Sequence, residues 1–99
     1  MINKVIRNGK VAVLISPEFG AGWSTWGSEE EKMLYDPVIV KWVEGGKKGP
    51  IPLDHYTNQP YAGRADDLKI VWVPKGTWFY VQEYDGSESI VYAEDGFVA

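Results

Sequence analysis

An α+β domain built on an antiparallel sheet is predicted by three observations. An Asn8-Gly9 turn separates two apolar runs, helix start and stop signals bracket residues 28 to 46, and the last third alternates like strands around an Asp85-Gly86 turn. The expected architecture is an N-terminal hairpin plus a C-terminal three-strand meander, with two short helices on one face. A chain of 99 residues without a composition break reads as a single domain over 1–99.

Taken in order, Ile2, Val5 and Ile6 alternate loosely with Asn3, Lys4 and Arg7, and Asn8-Gly9 suits a two-residue type I′ turn. The returning strand, Val11-Ala12-Val13-Leu14-Ile15, is apolar on both faces, which suits a central strand covered on each side. Pro17 ends it, because proline cannot donate to a ladder. Ser28 stands three residues before Glu31, the capping-box spacing, and a short helix is expected over about residues 29 to 34. Asp36-Pro37 then reads as an N-cap followed by proline at the first helical position, and Gly45-Gly46 as a stop. The β-branched Val38-Ile39-Val40 between them would equally fit a strand, but punctuation at both ends favours a helix. Residues 45 to 67 are irregular and proline-rich. Three strands follow over about 68–73, 77–84 and 90–92; in the middle one Phe79 and Val81 share one face, and Trp78, Tyr80 and Tyr84 the other. Both faces need covering, by the helices on one side and by more chain, a neighbouring subunit or a ligand on the other.

Composition narrows the function classes. Ten Lys+Arg against fourteen Asp+Glu give a net charge of −4, which opposes general attraction to a nucleic-acid polymer or an anionic membrane. With no cysteine and one histidine, neither a disulfide framework nor a zinc site is expected, and no other metal or cofactor is implied. The first ten residues lack the apolar core of a signal peptide, and no apolar run approaches a membrane span, so the expectation is a soluble intracellular protein. Five Trp, six Tyr and three Phe are an excess that suits binding sites and oligomer interfaces as well as cores.

The stretch from Ser16 to Gly27 concentrates the candidate chemistry. Gly20, Ala21 and Gly22 with Ser24 and Thr25 can point backbone N–H groups and hydroxyls at an anion, although the spacing matches neither the dinucleotide fingerprint nor the P-loop. Phe19, Trp23 and Trp26 would add a platform on which a purine stacks; the plain alternative is that the two tryptophans fold into the core. Arg64, with its planar fork, is the candidate cation for phosphate, and Tyr61 lies close to it in sequence. Arg64 could equally pair with Asp66 or Asp67. His55 beside Asp54, and Glu83 facing Glu88 across a hairpin, are the candidate acid–base pairs, but a loop histidine and two solvated carboxylates are the default uses of such residues. No catalytic constellation emerges.

The loop Ser16-Pro17-Glu18-Phe19-Gly20-Ala21-Gly22-Trp23-Ser24-Thr25-Trp26, the Asp36-Pro37 helix start, Trp72-Val73-Pro74-Lys75-Gly76-Thr77 and Glu83-Tyr84-Asp85-Gly86-Ser87-Glu88 together resemble a small protein recurrent in tailed phages and prophages. In size, aromatic richness and lack of catalytic groups the chain is similar to phage counter-defence sponges. These hold cyclic nucleotides or cyclic ADP-ribose-type signals of host systems such as Thoeris and CBASS without cleaving them. The resemblance implies a homo-oligomer in the cytoplasm of an infected bacterial cell, whose partner is a small nucleotide signal. Two rivals stay open: a protein-interaction module that blocks a host protein, and a small hydrolase of the signal.

Overall fold

A computed structural model describes residues 2–60 and 65–99. Tyr61 and Arg64, both expected at the site, lie outside the described residues. The fold is α+β, and its described strands form two antiparallel three-stranded sheets.

The first sheet has the order β1 (Ile6–Arg7), β2 (Lys10–Ile15), β3 (Lys69–Pro74). Asn8 (φ 53°) and Gly9 (φ 74°) both adopt the left-handed conformation that a type I′ turn requires, so the N-terminal hairpin forms as its sequence predicts. β2 is central, paired with β3 from Lys10↔Pro74 to Ile15↔Lys69. Its two apolar faces serve two cores. Ala12 and Leu14 pack with Trp23, Ile39, Val40 and Leu68 on one side, and Val11 and Val13 pack with Val73, Phe79 and Leu34 on the other.

The second sheet has the order β5 (Ser87–Tyr92), β4 (Trp78–Tyr84), β6 (Phe97–Val98). The β4–β5 hairpin turns at Asp85 (φ 51°) and Gly86 (φ 88°), again a type I′ pair. The three C-terminal strands of the predicted meander are therefore divided between the sheets: β3 joins β2, while β4 and β5 pair with each other. The cause is the burial of β2 on both faces, which leaves its backbone N–H and C=O groups no water on either edge, so that β3 pairs along the edge that the short β1 does not cover. At Lys75-Gly76 the chain crosses over, with Lys75 N–H donating to Gly9 O (2.8 Å) and Gly76 N–H to Ala99 O (2.7 Å). This brings the Phe79 face of β4 onto the first sheet as the other half of its second core.

Two short helices, α1 (Glu30–Tyr35) and α2 (Pro37–Glu44), occupy the expected segments. The Ser28–Glu31 capping box does not form; Glu29 is the N-cap of α1 and makes no side-chain cap bond. α2 is capped as read, with Asp36 accepting from Val38 N–H at 2.9 Å, Pro37 at the first position, and Gly45 N–H closing on Lys41 O. Its β-branched residues stay helical because Ile39 and Val40 fall on one face and are buried in the first core. α1 bridges the cores, sending Met33 into one and Leu34 and Tyr35 into the other. Among the described residues no helix is long and apolar enough to cross a membrane.

Candidate functional site

The loop between β2 and α1 closes on a carboxylate of the protein itself. Glu88 of β5 is 2% exposed. Its Oε1 accepts from Ser16 N–H (2.9 Å), and its Oε2 accepts from Trp23 N–H (2.8 Å), Thr25 N–H (3.1 Å) and the Thr25 hydroxyl (2.6 Å). A buried carboxylate needs several donors to offset its lost hydration, and the loop supplies them. Two backbone bonds fasten the same junction, Glu88 N–H to Ser16 O (2.8 Å) and Gly20 N–H to Asp85 O (2.9 Å). Close approach explains two of the glycines. A Cβ on Gly22 would lie 2.6 Å from Thr25 Oγ1, and one on Gly86 would lie 2.5 Å from Ala21 N.

The rings of the loop part company. Trp23 is 1% exposed and donates its indole N–H to Met33 O at 2.8 Å, so it is a core residue that ties the loop to α1. Ala21 and Ser24 are buried beside it. Phe19 and Trp26 instead face outward, 60% and 47% exposed. Phe19 meets the 75%-exposed Tyr84 edge to face, with ring centroids 6.3 Å apart. Trp26 donates its indole N–H to Glu83 Oε2 (3.1 Å), an oxygen that also accepts from Gly86 N–H (2.7 Å).

The register sets Glu83 opposite Glu88, as the hairpin predicts, yet the two carboxylates have different fates: one caps the loop from inside and the other holds Trp26 at the surface. The Gly86 N–H bond, and after it the Trp26 indole, hold the Glu83 carboxyl below its ordinary value of 4.5. A carboxyl with a lowered folded-state pKa favours the fold at pH above its unfolded value, and that contribution is lost as pH falls through the folded one. The Trp26 indole N–H resonance is therefore expected to titrate with a midpoint below 4.5; a midpoint at or above that value would contradict this contact.

A second cluster lies at the α1–α2 junction. Asp36, 3% exposed, uses Oδ1 to cap α2, and Oδ2 accepts from the Tyr56 hydroxyl and contacts His55 Nε2, each at 2.5 Å. Burial, then the bond to Asp36, push the Tyr56 hydroxyl well above its ordinary value, so it remains a donor. Lys32 completes the group, donating to His55 O (2.6 Å) and lying 4.5 Å over the Tyr56 ring. A cleft of about 410 Å³ opens here between Lys32, Asp36, His55 and the apolar Ile2, Pro37 and Val38.

His55 thus pairs with Asp36 and not with its sequence neighbour Asp54. The sequence identifies Asp36 as a helix cap, and nothing local signals that its other oxygen binds a residue 19 positions away. Among the described residues that line the cleft, none carries a hydroxyl or thiol; the Tyr56 hydroxyl is bonded to the same Asp36 oxygen that His55 contacts. Among the described residues, no group of three or more His, Cys, Asp or Glu is placed to hold a metal ion. Compared with known proteins, the chain matches no family model, no curated protein and no solved structure.

Proposed function

We propose that the chain binds a nucleotide-derived signal, of the cyclic ADP-ribose or cyclic oligonucleotide kind, and sequesters it without cleavage, the counter-defence role in an infected bacterial cell that the phage resemblance implies. The observation that supports this most is the exposed aromatic group Phe19, Trp26 and Tyr84 around a loop whose shape Glu88 fixes. Stacking a base on such rings contributes about 1–3 kcal/mol each, and rings already held in place lose little freedom on binding. Because Glu88 takes the Trp23 and Thr25 N–H groups, these do not grip phosphate in this reading. Arg64 and Tyr61 carry that task, and Trp23 supports the platform from beneath.

Thermal unfolding across a panel of cyclic dinucleotides and ADP-ribose derivatives tests the proposal. A ligand at a hundred times its Kd adds about 2.7 kcal/mol to the stability of the folded state. Recovered ligand of unchanged mass is expected, with affinity falling about tenfold in Trp26→Ala or Phe19→Ala, equivalent to about 1.4 kcal/mol. An unmoved melting curve for every compound would overturn sequestration, and ligand of altered mass would favour a hydrolase.

One observation favours a second reading, a module that docks on a host protein. The outer face of β4 carries Trp78, Tyr80 and Tyr84 with no charged residue among them, a surface type common at protein interfaces. It predicts a stable protein complex and no response to the nucleotide panel.

A further inference from the structure

We infer that two copies of this chain join edge to edge along β4, through the Val81 and Glu83 backbones, with Gln82 on the two-fold axis. The inference stands on backbone geometry and does not depend on the nucleotide reading. The hydrogen-bond phase of β4 is fixed at both ends. A two-residue turn makes Tyr84 and Ser87 a bonded pair, and Ala93 N–H donates to Trp78 O (3.2 Å), so the even-numbered residues bond toward β5. Ala99 N–H donates to Thr77 O (3.0 Å), so the odd-numbered residues bond toward β6. But β6 is only Phe97–Val98 and covers Trp78 and Phe79. Beyond it, the N–H and C=O groups of Val81 and Glu83 face an edge that no strand among the described residues occupies.

Natural sheets guard such an edge with proline, lysine, a bulge or a covering segment. Residues 80 to 84, Tyr-Val-Gln-Glu-Tyr, contain no proline or lysine, and their pairing with β5 runs without a bulge. The one charge, Glu83, is turned back onto its own chain by Gly86 and Trp26.

The edge is also complementary to itself. An antiparallel two-fold centred on Gln82 sets Val81 against Glu83 of the partner subunit as bonded pairs, using the backbone groups that face outward. It also sets Tyr80 against Tyr84 of the partner subunit in the closer, non-bonded pairs, where aromatic side chains meet across strands. Phe19, Trp78, Tyr80 and Tyr84 expose roughly 450 Å² of aromatic surface per copy along this line, at their observed exposures. That is below the about 800 Å² per partner of a standard interface, which places the pair among the weaker, concentration-dependent dimers.

The test uses the absence of cysteine in the chain. Paired Cα atoms at a non-bonded position lie about 4.5 Å apart, within disulfide reach. Gln82→Cys is therefore expected to give a covalent dimer on mild oxidation, whereas Ser89→Cys, on the same face but one strand inward, stays monomeric. Sedimentation equilibrium from about 1 μM to about 1 mM should show a rising two-chain fraction. Val81→Pro, which removes an N–H that no strand among the described residues pairs with, should weaken the dimer at least tenfold with unchanged far-UV circular dichroism. If that variant misfolds, the cysteine pair decides. A single-chain mass across the whole range, or cross-linking of Ser89→Cys as fast as Gln82→Cys, would overturn the proposal.

Discussion

Replacing Glu88 with alanine is expected to cost about 4 kcal/mol of folding stability. The carboxylate is fully enclosed and answers Ser16 N–H, Trp23 N–H, Thr25 N–H and the Thr25 hydroxyl. Alanine leaves these donors facing one another without an acceptor, and buried donors without partners cost about 1–3 kcal/mol apiece unless water enters. Domains of this kind have about 5–15 kcal/mol in total, so the variant sits near the edge of folding. Glu88→Gln should fall between, because its amide keeps one oxygen and turns an NH2 group toward donors. Urea unfolding of the three proteins measures the order; a loss below about 1 kcal/mol in Glu88→Ala would mean that the loop is held by something other than this carboxylate.

Trp23→Ala should cost about 3–5 kcal/mol, the range for an enclosed large ring replaced by a methyl group. Trp23 packs with Ala12, Leu14, Met33 and Leu68 in the first core, and the indole bond to Met33 O is lost with the ring. Trp23→Phe keeps most of the volume and should lose about 1–2 kcal/mol, chiefly for the unanswered carbonyl. Thermal or urea unfolding checks both, and equal effects for Phe and Ala would deny the ring its packing role. Loss of ligand binding in Trp23→Ala would follow from unfolding alone, so the surface rings Phe19 and Trp26 are the informative positions for recognition.

Elements whose signals are local are the ones that could be read from the sequence. Asn8-Gly9 and Asp85-Gly86 demanded left-handed backbone at consecutive positions and therefore turned the chain where expected. Asp36-Pro37 and Gly45 bracketed α2 firmly enough to outweigh its β-branched interior. The continuous apolar run Val11–Ile15 correctly marked a strand covered on both faces, and Phe79 alternated inward while Trp78, Tyr80 and Tyr84 stayed outside. What could not be read was pairing between distant segments. Whether β3 would accompany β4 or return to β2 depends on how completely β2 needs covering, a property of the assembled core.

For the loop, the sequence suggested N–H groups of Gly20 to Gly22 gripping a ligand's phosphate, whereas the donors that converge are those of Ser16, Trp23 and Thr25, and their acceptor, Glu88, lies 63 to 72 residues away, where nothing in the loop's own sequence points to it. A faint signal existed: Glu88 shares the inward phase of β5 with Ile90, so it faces the loop side of the hairpin and not solvent. His55 likewise sits beside Asp54 in the sequence but bonds to Asp36, because Asp36 is buried and already part of a helix cap.

The Glu88 clasp also bears on the order in which this protein can acquire its shape. Its bonds join parts of the chain that no short-range contact brings together, and closing such long separations is what slows folding. The glycine loop therefore has its full set of hydrogen-bond partners only once the C-terminal hairpin docks, although it is synthesised some sixty residues earlier. A peptide of residues 16 to 27 would keep only its local bonds, such as Ser16 Oγ–H to Ala21 O, and would lack the acceptor for the Ser16, Trp23 and Thr25 donors. The aromatic surface it displays is thus complete only when the hairpin has docked, because Tyr84 and Glu83, which meet Phe19 and Trp26, come from that hairpin.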